Sequence, residues 1–439
     1  MFEKGDVFCM KLSSASNDFF CCYISEGSSF SIKYSVTFIE PIRRKELERA
    51  ANDAMRLFPE FAVRPVVRNN RIEMIGNDAE LVFCDEPGAV KYYGSEDTNG
   101  YNLYFVCEDK KLTAFYYHGL SDTSGFTEYL QSVLTLYAAY IGTPVSDRAF
   151  LSTVRTPDNP MFNPNEEDRI DPYRLYGNAA AVPEWSFENP GAYTIPSDAP
   201  YPPEENRVHE LHVDIGTSAF IALSKKLGAS FTPLMIDVAA QTVYRNYDTG
   251  GDPFIAMLPV NLRPLFGSET AVNFSDGVSV PSYSETDMPD VAARCARMKD
   301  VMKKQITKAS FSRILGEKAA AVDRYFADES DILTRKRPVP AGGKPPYTLP
   351  VTYPGKLTFG APLDELLEDA FVTGYSRVNS IICYTFGEKM EFVFMWRSDD
   401  ITYIRQFAET LRRLGFTPKL TDLGLVKRDL FSVKKLMVK

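Results

Sequence analysis

Hydrophobic residues recur along the first part of the chain in short segments, and their period changes between two and about 3.6 residues. Residues 30–40 are rich in β-branched and aromatic side chains, which is typical of a strand. A helix is expected between Pro41 and Pro59, because its apolar residues repeat at three- and four-residue steps along one face. These residues are Leu47, Ala50, Ala51, Ala54 and Phe58. Shorter strand-like segments follow at residues 72–75, 81–84 and 103–107.

A strand, a polar turn and a helix form the best-defined local unit of this part. The predicted strand, residues 112–118, ends at His118 and leads into the turn at residues 121–125, Ser-Asp-Thr-Ser-Gly. The next helix has a single apolar stripe, formed by Phe126, Tyr129, Leu130, Val133, Leu134 and Tyr137. Ser124 or Gly125 is expected to cap the N-terminus of this helix.

The periodic pattern is lost between residues 156 and 206. This stretch contains ten prolines and many Asn, Asp and Glu residues, which predicts an irregular connector. Periodicity then returns, with strands expected at residues 208–213, 254–262, 380–386 and 390–397, and helices at residues 218–227, 232–244, 289–326, 363–371 and 401–414. Thr232 is expected to cap the second of these helices, and the longest is expected to break near Ala309 or Gly316.

Both parts of the chain mix strands and helices, and hairpin-like pairs of strands replace strict β-α-β alternation. This order predicts an α+β fold with two α/β sandwich domains rather than a Rossmann fold. A chain of 439 residues is long enough for two domains, each with its own core. We place them at residues 1–155 and 207–439, joined by the Pro-rich connector of residues 156–206.

Composition and charge exclude several classes of protein. Hydrophobic residues make up 44% and charged residues 24% of the chain, as in ordinary globular proteins. The formal net charge of -9 argues against a general nucleic-acid or anionic-membrane surface. The sequence lacks the roughly 20-residue apolar segment of a membrane helix and the pattern of a secretory signal, so we expect a cytoplasmic protein. The seven cysteines, without any C-x-x-C, predict mostly buried free thiols.

Sequence motifs for several kinds of chemistry are absent. There is no G-x-G-x-x-G, G-x-x-x-x-G-K-[ST], G-x-S-x-G or H-E-x-x-H, so the common nucleotide, α/β-hydrolase and zinc-protease sites are unsupported. His209 and His212 form H-x-x-H, but residues three apart on the predicted strand point to opposite faces. We therefore expect no metal site.

The three histidines of the chain limit imidazole chemistry to His118, His209 and His212. His118 is the favoured candidate, because a histidine at a strand end before a tight turn can project into a cleft as a general base. Asp122 follows four residues later, and Arg263 comes after another predicted strand and before a proline turn. The alternatives are a hydrogen-bonded core histidine, an aspartate that only caps the helix, and a surface arginine.

Three segments together resemble the chloramphenicol acetyltransferase-like superfamily. They are the turn from His118 to Asp122, the segment Pro259-Val-Asn-Leu-Arg-Pro264, and Asn273-Phe274-Ser275. Their order and spacing agree with the family, and the resemblance spans nearly the whole chain, beginning with residues 13–20. The superfamily includes peptide-synthetase condensation domains and plant BAHD acyltransferases. The chain is most similar to bacterial alcohol acetyltransferase-like proteins.

The resemblance implies two similar α/β sandwich domains with an inter-domain channel. It also implies transfer of an acyl group from acyl-CoA, or another thioester, to a small alcohol or amine. His118 would be the general base, and Asp122 would pair with Arg263 to hold the turn. The candidates for oxyanion or substrate contacts are Asn273, Ser275 and Tyr117. Coenzyme A would enter as a substrate, so no cofactor and no metal are expected.

The chain also departs from the family pattern. Tyr117 takes the place of the family's first histidine, and Thr123 takes the place of its usual glycine. These departures keep open a non-catalytic or carrier-protein-dependent condensation-like protein that binds a metabolite or an acyl carrier protein. Basic residues at positions 335–337 and 427–428 are candidates to meet an acidic donor, and the alternative for them is a solvated surface.

Overall fold

The computed structural model describes residues 14–22, 30–86, 91–159, 165–196, 200–201, 207–328, 330, 332, 335, 344–375, 378–427, 429 and 432–437. Its strands are β1 (Ser31–Phe38), β2 (Val63–Arg68), β3 (Arg71–Gly76), β4 (Phe83–Cys84), β5 (Leu103–Cys107), β6 (Lys111–Tyr117), β7 (Arg207–Gly216), β8 (Ile255–Asn261), β9 (Ser275–Pro281), β10 (Leu349–Lys356), β11 (Leu367–Tyr375), β12 (Ser380–Phe386), β13 (Lys389–Trp396) and β14 (Lys419–Lys427).

The helices confirm the expected α+β class. They are α1 (Ala15–Cys22), α2 (Arg44–Met55), α3 (Thr123–Tyr140), α4 (Arg148–Leu151), α5 (Glu166–Ile170), α6 (Pro172–Tyr176), α7 (Thr217–Lys226), α8 (Phe231–Asn246), α9 (Arg263–Phe266), α10 (Val291–Gln305), α11 (Lys308–Ala327), α12 (Ala361–Asp364), α13 (Thr402–Arg413) and α14 (Val433–Met437). Within the described ranges, no helix is both long enough and apolar enough to cross a membrane.

Two large sheets organise the molecule. The first sheet has the strand order β11-β1-β6-β5-β4, and the second has the order β14-β7-β13-β12-β10-β8-β9, while β2 and β3 form a separate hairpin. Helices α2 and α3 cover the first sheet, and their buried side chains share one apolar core with Val36 and Phe105. Helices α8, α10 and α13 contribute to the second core, together with Val213 and Phe394. Each sheet therefore has its own core, as a two-sandwich architecture requires.

Strand β11 corrects the sequence prediction of a helix at residues 363–371. The helix there is only α12, and β11 follows almost at once and pairs with β1 in the first sheet. Leu367, Ala370, Val372 and Tyr375 of β11 are buried in the first core, so the segment gains more from strand pairing and core burial than from a helix. The predicted domain boundaries stay a prediction. The strands of the first sheet are not contiguous in the sequence, because β11 follows strands β7 to β10 of the second sheet.

Other sequence predictions differ from the structure at the ends of helices. Helix α3 is capped by Asp122, whose Oδ1 accepts from Gly125 N, and not by Ser124 or Gly125. Helix α8 begins after Ser230, two residues before the expected cap at Thr232. The long helical region breaks at residues 306–307, where Thr307 caps α11, so the break expected near Ala309 is confirmed and the alternative at Gly316 is wrong. No strand is predicted from the sequence at β2, β9, β10 or β14.

Strand β7 separates two histidines as its alternation predicts. His209 Nε2 lies 2.7 Å from Asp422 Oδ1 on β14, whereas His212 faces the first sheet between Glu210 and Glu391. Among the described residues, no group of His, Cys, Asp and Glu side chains has a geometry that could hold a metal ion.

The described cysteines are free thiols. Cys21, Cys107, Cys295 and Cys383 are buried, and Cys84 is half-buried. Cys9 and the side chain of Cys22 lie outside the part of the chain that the structure describes. The prediction of buried free thiols is therefore confirmed for the four buried cysteines.

Candidate active site

The backbone around His118 is fixed by hydrogen bonds at the end of β6. His118 N donates to Phe30 O at 2.6 Å, and Leu120 N donates back to Tyr117 O at 2.9 Å. The backbone then turns so that Ser121 lies beside the imidazole of His118. The Oγ atom of Ser121 donates to Ala271 O at 2.7 Å. The chain therefore leaves the first sheet in a tight turn that is tied to the segment before β9.

Asp122 connects this turn to both neighbouring segments. Its Oδ1 accepts from Gly125 N at 2.9 Å and so caps α3, while its Oδ2 accepts from Phe274 N at 2.8 Å. The same Oδ2 accepts from Arg263 Nη1 at 2.9 Å, and both side chains are 8% exposed. A carboxylate can accept several hydrogen bonds at once, so the cap and the ion pair do not compete.

Arg263 is held on all sides of its guanidinium. Its Nε donates to Thr270 O at 2.7 Å, and its Nη2 donates to Val272 O at 2.8 Å. Asn261 Oδ1 accepts from both the backbone N and Nη1 of Arg263, each at 3.1 Å. The structure thus brings Asp122 and Arg263 together in a buried pair, and the alternative of a surface arginine is wrong.

The turn has its glycine at position 125 and not at position 123, and close packing at position 125 accounts for this. A Cβ atom at Gly125 would lie 2.0 Å from Ala271 O, closer than any real Cβ contact, whereas Thr123 begins α3 with its side chain at the cavity wall. Helix α3 therefore approaches the segment around Ala271 at the one position that carries no side chain.

The imidazole of His118 has one nitrogen fixed and a low proton affinity. Nδ1 lies 3.2 Å from Ser121 O, and because a carbonyl oxygen only accepts, Nδ1 carries the proton and Nε2 is the basic nitrogen. The ring of Phe20 packs over the imidazole with 4.8 Å between centroids. Burial lowers the pKa of His118 below its usual value of 6.5, in spite of the opposing charge of Asp122.

A cavity of about 540 Å³ lies beside His118. Its walls come from the end of β6, the start of α3, strands β1 and β11 of the first sheet, and strands β8, β10 and β12 of the second. The polar side chains near His118 in these walls include Asp122, Thr123, Ser124, Asn261 and Ser275. The site therefore needs both sheets, whereas a channel open at two ends stays a prediction.

The remaining predicted site residues lie in different places. Ser275 lines the cavity, and its Oγ donates to Asn273 Oδ1 at 3.0 Å. Asn273 itself is buried, is not among the described residues that line the cavity, and its Nδ2 makes no hydrogen bond. Tyr117 points into the first core, with its hydroxyl 4.0 Å from Cys21 Sγ, so a substrate contact by Tyr117 does not fit the structure.

Of the proposed basic residues, the structure describes Arg335 and Lys427, and neither lines the cavity. Arg335 is buried, and its Nη2 donates to Asn70 O and Ser330 O, while Lys427 is exposed at the end of β14. Residues 336, 337 and 428 lie outside the described part of the chain.

Two residues of the cavity wall, Phe20 and Asn261, have no role predicted from the sequence, although both lie in segments that carry the family resemblance.

No family model and no curated protein matches the chain. Solved structures do match it. Polyketide synthase associated protein 5 from Mycobacterium tuberculosis is 13% identical, with a TM-score of 0.57 over 91% of this chain and 96% of that chain. TRI101 from F. sporotrichioides, complexed with coenzyme A and T-2, is 10% identical, with a TM-score of 0.57 over 92% and 98%. The chain has the chloramphenicol acetyltransferase-like fold.

The same fold occurs in a protein with a different reaction. The epimerization domain from the third module of tyrocidine synthetase B is 9% identical, with a TM-score of 0.59 over 90% of this chain and 93% of that domain. The resemblance seen in the sequence is confirmed by these matches for the fold. At such low identities it does not extend to the reaction, which must be argued from the site itself.

Proposed function

We propose that the protein is an acyltransferase that moves an acyl group from acyl-CoA, or another thioester, to a small alcohol or amine. The observation that carries this proposal is the position of His118 in the wall of a cavity formed by both sheets, with Nδ1 bound to Ser121 O. Nε2 is then the nitrogen that can accept a proton from a bound nucleophile.

The reaction balances without a metal or a redox step. The acceptor hydroxyl gives its proton to Nε2 of His118 while its oxygen forms a bond to the thioester carbonyl carbon. The tetrahedral intermediate collapses by breaking the carbon–sulfur bond, and the imidazolium returns the proton to the leaving thiolate. The products are an ester and a free thiol. The lowered pKa of His118 supports this role, because the imidazole is neutral and ready to accept a proton at neutral pH.

Ser275 is the proposed donor to the oxyanion of the intermediate. Ser275 lines the cavity, and its Oγ donates to Asn273 Oδ1, so the hydroxyl would rotate from Asn273 to reach the oxyanion. Hydrogen-bond donors aimed at a developing oxyanion contribute strongly to catalysis in a site that excludes water.

Asp122 and Arg263 are proposed as positioning residues and not as a proton relay. Both carboxylate oxygens of Asp122 already accept hydrogen bonds from Gly125, Phe274 and Arg263. They hold the turn that carries His118, whose Nδ1 is hydrogen-bonded to Ser121 O and not to Asp122.

The runner-up is a non-catalytic protein that binds a metabolite, or an enzyme that takes its acyl group from a carrier protein. The cavity beside His118 counts against the non-catalytic version, because side chains do not fill the site. The carrier-protein version keeps the same chemistry and changes only the donor.

The test compares thiol release from a panel of acyl-CoA donors by the native protein and by His118→Ala. We expect the loss of the general base to lower the rate by about 10²–10⁴-fold. His209→Ala is the matched control, because His209 lies on the far face of β7 and contacts Asp422. Equal rates for the native protein and His118→Ala would remove the catalytic assignment, and activity with acyl carrier protein alone would favour the runner-up.

A further inference from the structure

Asn261 is a polar residue of the cavity wall that has no part in the reaction as described above. It is the last residue of β8, is exposed to the cavity, and comes two residues before Arg263. We propose that Asn261 is a catalytic residue, whose side-chain amide donates a hydrogen bond to the oxyanion of the tetrahedral intermediate together with Ser275. This inference rests on the proposed acyl transfer, and it adds a donor that is already oriented to the same site.

The orientation of the Asn261 amide is set by Arg263. Asn261 Oδ1 accepts from Arg263 N and from Arg263 Nη1, each at 3.1 Å. Both of these groups can only donate, so the oxygen of the amide faces them and Nδ2 faces the opposite way. Arg263 is itself buried, and its other partners are Thr270 O, Val272 O and the carboxylate of Asp122. The amide is therefore held by a guanidinium that has a partner at each of its three nitrogens.

The nitrogen of this amide lies on the cavity side. Among the described residues, Nδ2 has its hydrogen bond with Ser124 Oγ, at the start of α3, and the distance is a long 3.4 Å. Asn261 and Ser124 both line the cavity. Because Nδ2 carries two N–H donors and one long contact uses at most one of them, the amide has a donor to offer to a bound substrate.

Ser275 is the direct cross-strand neighbour of Asn261. The two residues are paired at the end of the antiparallel strands β8 and β9, and both line the cavity. Side chains that are directly opposite in an antiparallel pair lie on the same face of the sheet, with Cβ atoms about 4.5–5.5 Å apart. Two donors at this spacing can approach one oxygen atom from two directions.

The two donors differ in how far they must reorganise. Ser275 Oγ donates to Asn273 Oδ1 at 3.0 Å, so its hydroxyl has to rotate away from that acceptor before it can serve the reaction. The Asn261 amide needs no such change, because Arg263 already holds it. A donor that is oriented before the reaction costs no reorganisation when the negative charge develops. Asn261 is thus the principal donor of the pair, and Ser275 is the secondary one.

The ion pair of Asp122 and Arg263 connects this donor to the general base. Arg263 Nη1 donates both to Asp122 Oδ2, at 2.9 Å, and to Asn261 Oδ1, at 3.1 Å. Asp122 holds the turn that carries His118, so a single guanidinium nitrogen positions the base on one side and the amide on the other. Arg263 is not among the described residues that line the cavity, and it is therefore a positioning residue for both groups.

Two variants of Asn261 separate a catalytic donor from a structural support. Asn261→Asp keeps an oxygen for the two hydrogen bonds from Arg263 and replaces the amide nitrogen by an oxygen that cannot donate. Asn261→Ala removes the donor without adding a charge. Asn178→Asp is the matched control, because Asn178 is exposed and its Oδ1 also accepts from the backbone N two residues later, Ala180 N at 3.0 Å.

The measurement is thiol release from acetyl-CoA and octanoyl-CoA with a set of small alcohols and amines. Each kcat is taken on the pH-independent plateau of its variant, because a new carboxylate can shift the titration of His118. We expect kcat to fall about 10²–10³-fold in Asn261→Asp and Asn261→Ala, with KM for the donor within about threefold of the native value. Asn178→Asp should have the native kcat, and Asn261→Asp should keep the native midpoint of urea unfolding.

The two variants together decide the inference. A residue that only supports Arg263 would leave Asn261→Asp near the native kcat, and an effect of charge alone would leave Asn261→Ala near it. A loss of less than about tenfold in either variant would therefore overturn the inference. A higher KM for the acceptor with an unchanged kcat would overturn it as well, because Asn261 would then bind the ground state only.

His118→Ala, measured in the same assay, distinguishes the two levels of the proposal. If His118→Ala equals the native protein, the proposed function fails, and this inference fails with it. If turnover depends on His118 but both Asn261 variants keep the native kcat, only this inference fails.

Discussion

Asp122 shows at the scale of single residues how two interpretations of one side chain can both hold. From the sequence, a helix cap and a site-supporting ion pair are alternatives for Asp122, but in the structure Oδ1 caps α3 while Oδ2 accepts from Arg263. A sequence motif identifies the residue type that a turn needs. It does not tell how many partners the folded chain brings to that residue, because Arg263 and Phe274 are distant in the sequence.

Asp122→Asn should destabilise the protein by about 3–5 kcal/mol, because it leaves the Arg263 guanidinium buried without its counter-charge. The expected result is a lower midpoint of urea unfolding together with a large loss of acyl transfer. Asp147→Asn is the matched control. Asp147 is an exposed cap of α4 that accepts from Ala149 N and Phe150 N, and asparagine caps helices about as well. Equal losses in the two variants would contradict the role of the buried pair.

The pH dependence of the reaction should report the proton affinity of His118. A base must be unprotonated, so kcat/KM should rise with pH through the pKa of His118 and stay constant above it. Because burial holds this pKa below 6.5, the midpoint of the rise is expected below pH 6.5. The measurement is log kcat/KM against pH for the native protein and for His209→Gln, which should share the same midpoint. A midpoint above pH 6.5 would be inconsistent with the desolvated imidazole.

At the scale of elements, the start of α3 packs so closely against the segment before β9 that no side chain fits between them at Gly125. The strand, turn and helix around His118 could be predicted from the sequence, because their periodicity is local and strong. The contact between Gly125 and Ala271 could not, since nothing in the local pattern records which distant segment passes at that point. The same limit applies to Phe20, which meets His118 across nearly a hundred residues.

Gly125→Ala should disrupt this approach, because the added Cβ would lie 2.0 Å from Ala271 O and the clashing atom is backbone. We expect a loss of about 1–3 kcal/mol in the free energy of unfolding and a marked drop in acyl transfer. Gly76→Ala serves for comparison, since Gly76 is an exposed strand residue whose Cβ would meet nothing within 4 Å. That control should change stability by no more than about 0.5 kcal/mol. A Gly125→Ala protein with native stability would mean that the two segments move apart easily.

At the scale of the whole molecule, polar side chains connect the two sheets. Lys33 of β1 lies 3.4 Å from Glu210 of β7, and His212 lies between Glu210 and Glu391 at 3.0 and 2.9 Å. The sequence placed His212 on a strand without a role, because its partner Glu391 lies on β13, which is distant in the sequence. The arrangement of two sandwiches followed from the order of elements, whereas the contacts that join them could not be derived from that order.

Stability should fall as pH rises from about 6.5 to about 9, because of His212. Burial alone would lower the pKa of His212, but hydrogen bonds with Glu210 and Glu391 outweigh it and raise the pKa to about 9. The proton therefore stabilises the fold fully below about pH 6.5, and this contribution is lost as pH passes through 9. We expect a loss on the order of 2–3 kcal/mol in urea unfolding over this interval.

His212→Gln should remove this slope, because glutamine does not titrate. His209→Gln should keep it, since the His209 side chain is hydrogen-bonded to Asp422 of the edge strand β14 and not to Glu210 or Glu391. Asp214 of the same strand also interacts with His212, but burial raises the pKa of Asp214 only to about 6, below this interval. An unchanged slope in His212→Gln would assign the effect to another group.

Strand β11 has a consequence for the way this chain folds during synthesis. Strand β11 pairs with β1, with Tyr375 opposite Ser31. This pair cannot form until most of the chain has left the ribosome, whereas β6, the other neighbour of β1, is synthesised much earlier. Until then, one edge of β1 is an unpaired strand, which is a template for association with other chains. Such long-range pairing has a high contact order and is slow to form. We therefore expect nascent chains that stop before residue 367 to be prone to aggregation, and the cell to need chaperones for this protein mainly during that interval.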